Sequence, residues 1–225
     1  PAYIYSRTRE SAEQLSERLR DVPYSTDISR VPTDGDLYIF AVKDSALLDL
    51  VSRMPSNRGL WVHTAGSMDM EVFAPYTARY GVFYPMQTFS KERETDFDDI
   101  PIFVETNHTD DTERLQKLAG RLSTKVYEAT SEQRKYLHLA AVFACNFSNH
   151  LYALCDRILS EHGLPFETML PLIRETAAKV ADMPPAQAQT GPAIRYDKNV
   201  IDKQMALLSD PTMRQIYDLM SRSIH

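Results

Sequence analysis

Three sets of residues in this chain have side chains that could do chemistry. Ser6-Arg7-Thr8 places a planar guanidinium fork between two hydroxyl donors, a combination suited to phosphate oxygens. Lys135 and His138 are three residues apart, about 4.5 Å along a helix axis, and both are residue types that serve as acids or bases in catalysis. Three loops concentrate polar groups: His63-Thr64-Ala65-Gly66-Ser67, Tyr84-Pro85-Met86-Gln87-Thr88-Phe89-Ser90 and Thr190-Gly191-Pro192-Ala193-Ile194-Arg195-Tyr196-Asp197. Each also reads as a plain turn, since Gly, Pro and Ser punctuate turns everywhere. His63 taken alone reads equally as a satisfied, partly buried histidine. Cys145 and Cys155 lack companion ligands at zinc spacing, so no metal is expected.

The elements that must position these groups have two rhythms. Up to about Thr130, short apolar runs read as strands at Ala2–Ser6, Asp36–Val42, Leu60–Thr64, Gly81–Tyr84, Ile100–Glu105 and Lys125–Glu128. Helical patterns lie between several of them. Ala12, Leu15 and Leu19 recur at helical spacing, Asp44 can cap a helix carrying Leu47, Leu48 and Val51, and Thr112–Leu122 reads as another. Such alternation predicts an α/β domain over residues 1–130 with a mostly parallel, helix-covered sheet. From Ser131 the strands stop. Helices are expected at Ser131–Glu161, Glu167–Ala181, Val200–Ser209 and Thr212–Ser223, giving an all-α domain over residues 131–225.

Ser6-Arg7-Thr8 follows the first strand directly. At the end of the second strand of a dinucleotide-binding fold, an acidic residue takes the ribose hydroxyls of NAD, whereas an Arg accommodates the extra phosphate of NADP. On that reading Ser6, Arg7 and Thr8 face the cofactor, and Lys43 after the next strand can join them. The alternative is that Thr8 caps a helix and the basic residues are solvated. No two of the seven glycines have the G-x-G spacing that lets a backbone approach a pyrophosphate. If Ala2–Ser6 is the second strand, a first strand, glycine turn and helix of roughly 20–35 residues are expected ahead of Pro1.

From Tyr136 to Leu159 the long helix is apolar almost all round, the mark of a helix buried on most sides. At about 100° per residue, Lys135, His138, Asn146, Asn149 and Asp156 share one arc of roughly 80°. That arc either lines a site or forms a polar seam. It can line a cleft without converging on one atom, because Lys135 and Asn146 are about 16 Å apart along the axis. Cys145 and Cys155, about 15 Å apart on the same helix, are beyond disulfide reach and are expected as thiols of a reducing cytoplasm.

The 43% hydrophobic and 25% charged composition is that of a globular domain, and the net charge of −6 with no basic aromatic patch argues against nucleic acid. No apolar run reaches the roughly 18 residues of a membrane span, so no membrane partner is expected.

These stretches together resemble a Rossmann-like domain joined to an uncharacterised helical C-terminal domain, a pairing found in bacterial NADP oxidoreductases. The resemblance rests on Tyr5-Ser6-Arg7-Thr8, His63-Thr64-Ala65-Gly66-Ser67, Tyr84-Pro85-Met86-Gln87-Thr88-Phe89, the run from His138 to Asn146, and Thr190-Gly191-Pro192. Wider relatives include phosphogluconate and hydroxyisobutyrate dehydrogenases and pyrroline-carboxylate reductase. It implies hydride transfer between NADP(H) and a small carbonyl, hydroxyl or imine substrate, and a homodimer paired through the helical domain. Lys135 or His138 would exchange the proton. Ser6, Arg7, Thr8, Lys43, His63 and Thr64 would face cofactor, and Gly66, Ser67, Gln87, Thr88, Asn146 and Asn149 would face substrate. The wider dehydrogenases carry a catalytic Lys followed four residues later by Asn; here Leu139 occupies that place, with His138 one residue earlier. The competing reading is a non-catalytic homologue that binds a ligand or partner and dimerises through its helices.

Overall fold

The computed structural model describes residues 2–90 and 93–225. Its contacts divide the chain into two compact units, Pro1–Cys145 and Asn146–His225.

The first unit is an α/β layer structure. Strand β1 (Ile4–Tyr5) leads through helix α1 (Arg9–Arg18) to β2 (Tyr24–Ser25), and the two strands pair in parallel with Ile4 opposite Tyr24. A second sheet runs in the order β3 (Leu37–Phe40), β4 (Leu60–His63), β5 (Tyr80–Pro85), β6 (Ile102–Thr106), β7 (Val126–Glu128). Every pairing is parallel except β5 with β6, where the loop after Pro85 folds back and Met86 N–H donates to Pro101 O at 2.8 Å. Parallel neighbours need a crossover connection, usually a helix. It is α2 (Asp44–Arg53) between β3 and β4 and α3 (Thr109–Ala119) between β6 and β7, while β4 and β5 are joined by a loop holding the short 3-10 turn Met70–Phe73.

The period of two along β4 sets the core. Trp61 faces α2 with Phe40, Leu47, Leu50, Val51 and Phe73, while Leu60 and Val62 face α3 with Phe83, Ile102, Val104 and Leu115. All four β4 residues are buried, as expected of a parallel strand covered on both faces. Among the described residues, β1's edge away from β2 and β3's edge away from β4 pair with no strand.

Helix α4 (Ser131–Ala141) closes this unit. Thr130 caps it in a reciprocal box with Gln133, satisfying orphan N–H groups at its start. The expected single α-helix to Glu161 is interrupted. A π-helical segment at Val142–Phe147 separates α4 from α5 (Ser148–Glu161). Bonds from i to i+5 widen the turn, so an arc drawn at 100° per residue does not carry across it. The second unit continues with α6 (Leu170–Asp182), the short α7 (Pro185–Ala188), α8 (Lys198–Leu207) and α9 (Pro211–Ile224).

Other departures have local causes. Strand β2 escaped notice because two residues carry no alternation. Helix α3 starts three residues earlier than expected, because Asp110 and Asp111 complement the positive end of its dipole. Asp44 is the first residue of α2 rather than its cap, and its carboxylate accepts a hydrogen bond from Ser67. The apolar long helix is not buried on most sides: no residue of α5 is buried in the single chain.

Candidate functional site

Helix α4 is fastened to the sheet by Arg134, a guanidinium with 0% exposure. Its Nη1 donates to Glu105 Oε2 of β6 at 2.7 Å, its Nε to Ala65 O at 3.3 Å, and its Nη2 to Met68 O and to Ser131 Oγ. Ser131 adds two bonds to the same carboxylate, from its N–H at 2.8 Å and its hydroxyl at 2.7 Å, and accepts one from Met70 N–H at 3.1 Å. The planar fork thus ties the β4–β5 loop, β6 and the start of α4 together, and each of its three nitrogens donates to an acceptor.

His63, at the end of β4, is also wholly buried. Its Nδ1 accepts from Ala65 N–H at 3.2 Å and its Nε2 contacts Asp69 O at 3.3 Å. Burial, and then the Arg134 charge, push its pKa down to about 4, so it stays neutral and can take one hydrogen bond while giving the other. Its ring shapes the loop from Thr64 to Asp69 from inside.

That loop supplies partners to α4 in turn. Lys135 Nζ lies 3.5 Å from Asp69 Oδ2. Asp69's carboxyl is held below the usual carboxylate range, chiefly by the Glu71 N–H and further by Lys135. One turn along, His138 Nδ1 lies 3.4 Å from the hydroxyl of Tyr84, a β5 residue whose own pKa is raised by burial. Gly66 sits against both: a Cβ there would be 2.6 Å from His138 Nδ1 and 2.9 Å from the Tyr84 hydroxyl. Lys135 and His138 therefore take different partners, and Gly66 and Thr64 lie half-buried or buried in the connecting loop. Ser67, exposed, donates to Asp44 beside Lys43, which is itself exposed. Gln87 and Thr88 are exposed after β5, with Gln87 Oε1 accepting from Thr88 N–H at 2.8 Å.

At the end of β1, Arg7 is exposed and makes no hydrogen bond or ion pair among the described residues, whereas Arg9 pairs with Glu13 at 2.7 Å. Arg7 lines a cavity of about 280 Å³ together with Tyr5, Val42, Ser45 and Arg53. Ser6 is half-buried and pairs with β2 through its N–H. Thr8 stands at the N-cap of α1, but its hydroxyl donates to Ser11 Oγ at 2.9 Å instead of capping. A free cation beside hydroxyls at a strand's end fits a phosphate-bearing cofactor.

Asn146 and Asn149 are exposed in the second unit, whereas Lys135 and His138 belong to the first. Sequence reasoning missed Asp69, Glu105 and Arg134, and met Tyr84 only as the start of a polar loop. Arg134 carried no separate signal, since it stands among Glu132, Gln133 and Lys135 in the polar first turn of α4.

A family profile described as a domain of unknown function, DUF2520, matches residues 100–224. Among solved structures, a Bacteroides fragilis protein to which NADP oxidoreductase activity is ascribed is 51% identical, over 100% of this chain and 88% of its own, with a TM-score of 0.91. The reductive aminase of Aspergillus terreus, solved with NADPH and ethyl levulinate, is 14% identical over 99% of this chain and 84% of its own, TM-score 0.75. The imine reductase of Myxococcus stipitatus, solved with NADP+, is 15% identical over 99% and 84%, TM-score 0.66. These last two share the fold. No functionally curated protein is significantly similar in sequence. With its mostly parallel sheet and helical C-terminal region, the chain belongs to the DUF2520 family, on the Rossmann-like frame of NADP oxidoreductases.

Proposed function

We propose that the protein is an NADP(H)-dependent oxidoreductase acting on a small carbonyl, hydroxyl or imine compound. The observation that carries this is Arg7, an unpaired, exposed guanidinium at the end of β1 beside Ser45 and Arg53. Such a group would meet the phosphate that distinguishes NADP from NAD. Bound NADPH would supply the hydride. Lys135 or His138, on a helix locked to the sheet by Arg134, would exchange a proton with the substrate's oxygen or nitrogen. Ser67, Gln87 and Thr88 are exposed polar groups on neighbouring loops able to orient substrate. Calorimetry on the full-length gene product tests the cofactor half: NADPH binds more tightly than NADH, and Arg7→Ala weakens NADPH far more. Equal losses for both would overturn it. NADPH consumption across keto acids, aldehydes and cyclic imines tests the reaction.

The working form is a homodimer paired through the helical unit. Of that unit's hydrophobic side chains only Ala193, Ile201 and Met213 are buried, while Ile158, Leu164, Leu172, Val180 and Leu219 are exposed. Helices with this much open apolar surface mark an interaction face, and a second copy offers the same face in return. Sedimentation equilibrium at micromolar concentration returns twice the chain mass, and Leu172→Glu with Leu219→Glu shifts it toward one. No described helix is long and apolar enough to cross a membrane. The two free thiols, Cys145 and Cys155, fit a reducing cytoplasm.

A further inference from the structure

We propose that Tyr84 is a positioning residue that, with Gly66, occupies Nδ1 of His138, so that His138 exchanges the substrate proton through Nε2. This rests on the oxidoreductase reading and assigns the proton to one atom.

Three observations carry it. First, the Tyr84 hydroxyl and His138 Nδ1 are 3.4 Å apart, with ring planes inclined at 65°. The phenol thus meets the nitrogen rather than the ring face. Second, Gly66 leaves no room for a side chain between them, so Nδ1 is walled in by the loop and by β5. Third, Tyr84 is buried while His138 is exposed. One ring nitrogen therefore faces protein, and the imidazole's other nitrogen lies across the ring from it.

The chemistry follows. In the acid form both nitrogens carry hydrogen, so Nδ1–H must donate and the phenol oxygen accept. Burial keeps that phenol protonated, hence neutral, and a neutral acceptor orients the imidazolium without trapping it as an ion pair. Bound NADPH would supply the hydride, and the electron pair with it, to the carbon of C=O or C=N. The Nε2–H bond breaks, its electron pair stays on Nε2, and the substrate's oxygen or nitrogen gains the proton. The ring is left neutral with hydrogen on Nδ1, still held by Tyr84. Oxidation runs the same steps backward.

The other charged groups near the pair are Arg134 and Lys135 on α4, Asp44 at the start of α2 and Glu105 on β6. Arg134 and Asp44 act on Tyr84 in opposite directions, Glu105 is paired with Arg134 and Lys135 with Asp69. All remain in Tyr84→Phe, so this variant isolates the hydroxyl.

Long-range nitrogen–proton NMR of His138 reads the assignment without turnover. The wild-type neutral ring is expected with hydrogen on Nδ1, and Tyr84→Phe with hydrogen mainly on Nε2. Steady-state kinetics on Tyr84→Phe should show kcat lowered roughly tenfold to hundredfold with KM nearly unchanged. Gly66→Ala, which forces the two rings apart, should reproduce the tautomer change if circular dichroism shows it folded. An unchanged tautomer and kcat in Tyr84→Phe overturn the proposal while leaving the oxidoreductase reading intact. Full turnover in His138→Gln overturns the proposal through the reading beneath it.

Discussion

Arg134→Met should destabilise the protein by about 3–5 kcal/mol. Methionine keeps the apolar stem but removes a wholly buried charge. It leaves Glu105, whose side chain is only 14% exposed, without its cation, and frees the carbonyls of Ala65 and Met68. Breaking one side of a buried pair costs far more than the pair's net worth. Urea unfolding measures the loss, and a change below about 1 kcal/mol would show that the network contributes no more than a surface ion pair. Arg134→Lys keeps the charge but loses the fork, so it should recover only part. His63 gives a second readout. Arg134's charge is the second cause of its low pKa, so the folded value rises from about 4 in Arg134→Met. A histidine with a depressed folded pKa contributes stability that is whole above the unfolded value near 6.5. That contribution fades as pH falls toward about 4. The variant narrows that acid window from below.

The second large effect separates the two candidate acids. His138→Gln should lower kcat by about 10²–10⁴-fold and flatten the pH profile, with NADPH affinity nearly unchanged. Lys135→Met should cost less, because its ammonium is engaged with Asp69 at 3.5 Å and half exposed. Its loss should fall mainly on KM. Stopped-flow NADPH oxidation with any active imine or keto acid decides between them. The reverse ranking would make Lys135 the proton donor, and near-normal turnover in both would remove acid–base work from α4.

What was legible in the sequence follows the length and regularity of each signal. The β4 run Leu60–His63 and the amphipathic pattern of α2 announced themselves, because several consecutive side chains obey one period. Tyr24–Ser25 could not, and neither could the π-helical turn, whose Val142–Phe147 composition suits an ordinary α-helix. At the site, Lys135, His138 and the loops stood out through residue type. Their partners did not. Tyr84 looks like one more core aromatic in an apolar strand, and Arg134 like a solvated neighbour of Lys135. Only tertiary structure brings positions 66, 84 and 138 together. His63 drew notice as a possible ligand-facing group, yet its burial turns both nitrogens toward the loop backbone.

The outward-facing leucines of α6 and α9 have a consequence for how the protein persists in a cell. If those side chains leave water only when two copies meet, the helices gain most of their hydrophobic free energy from association. Survival of the folded state then obeys mass action. Dilution itself becomes a denaturant, and a cell that makes too little of this protein holds a less durable one.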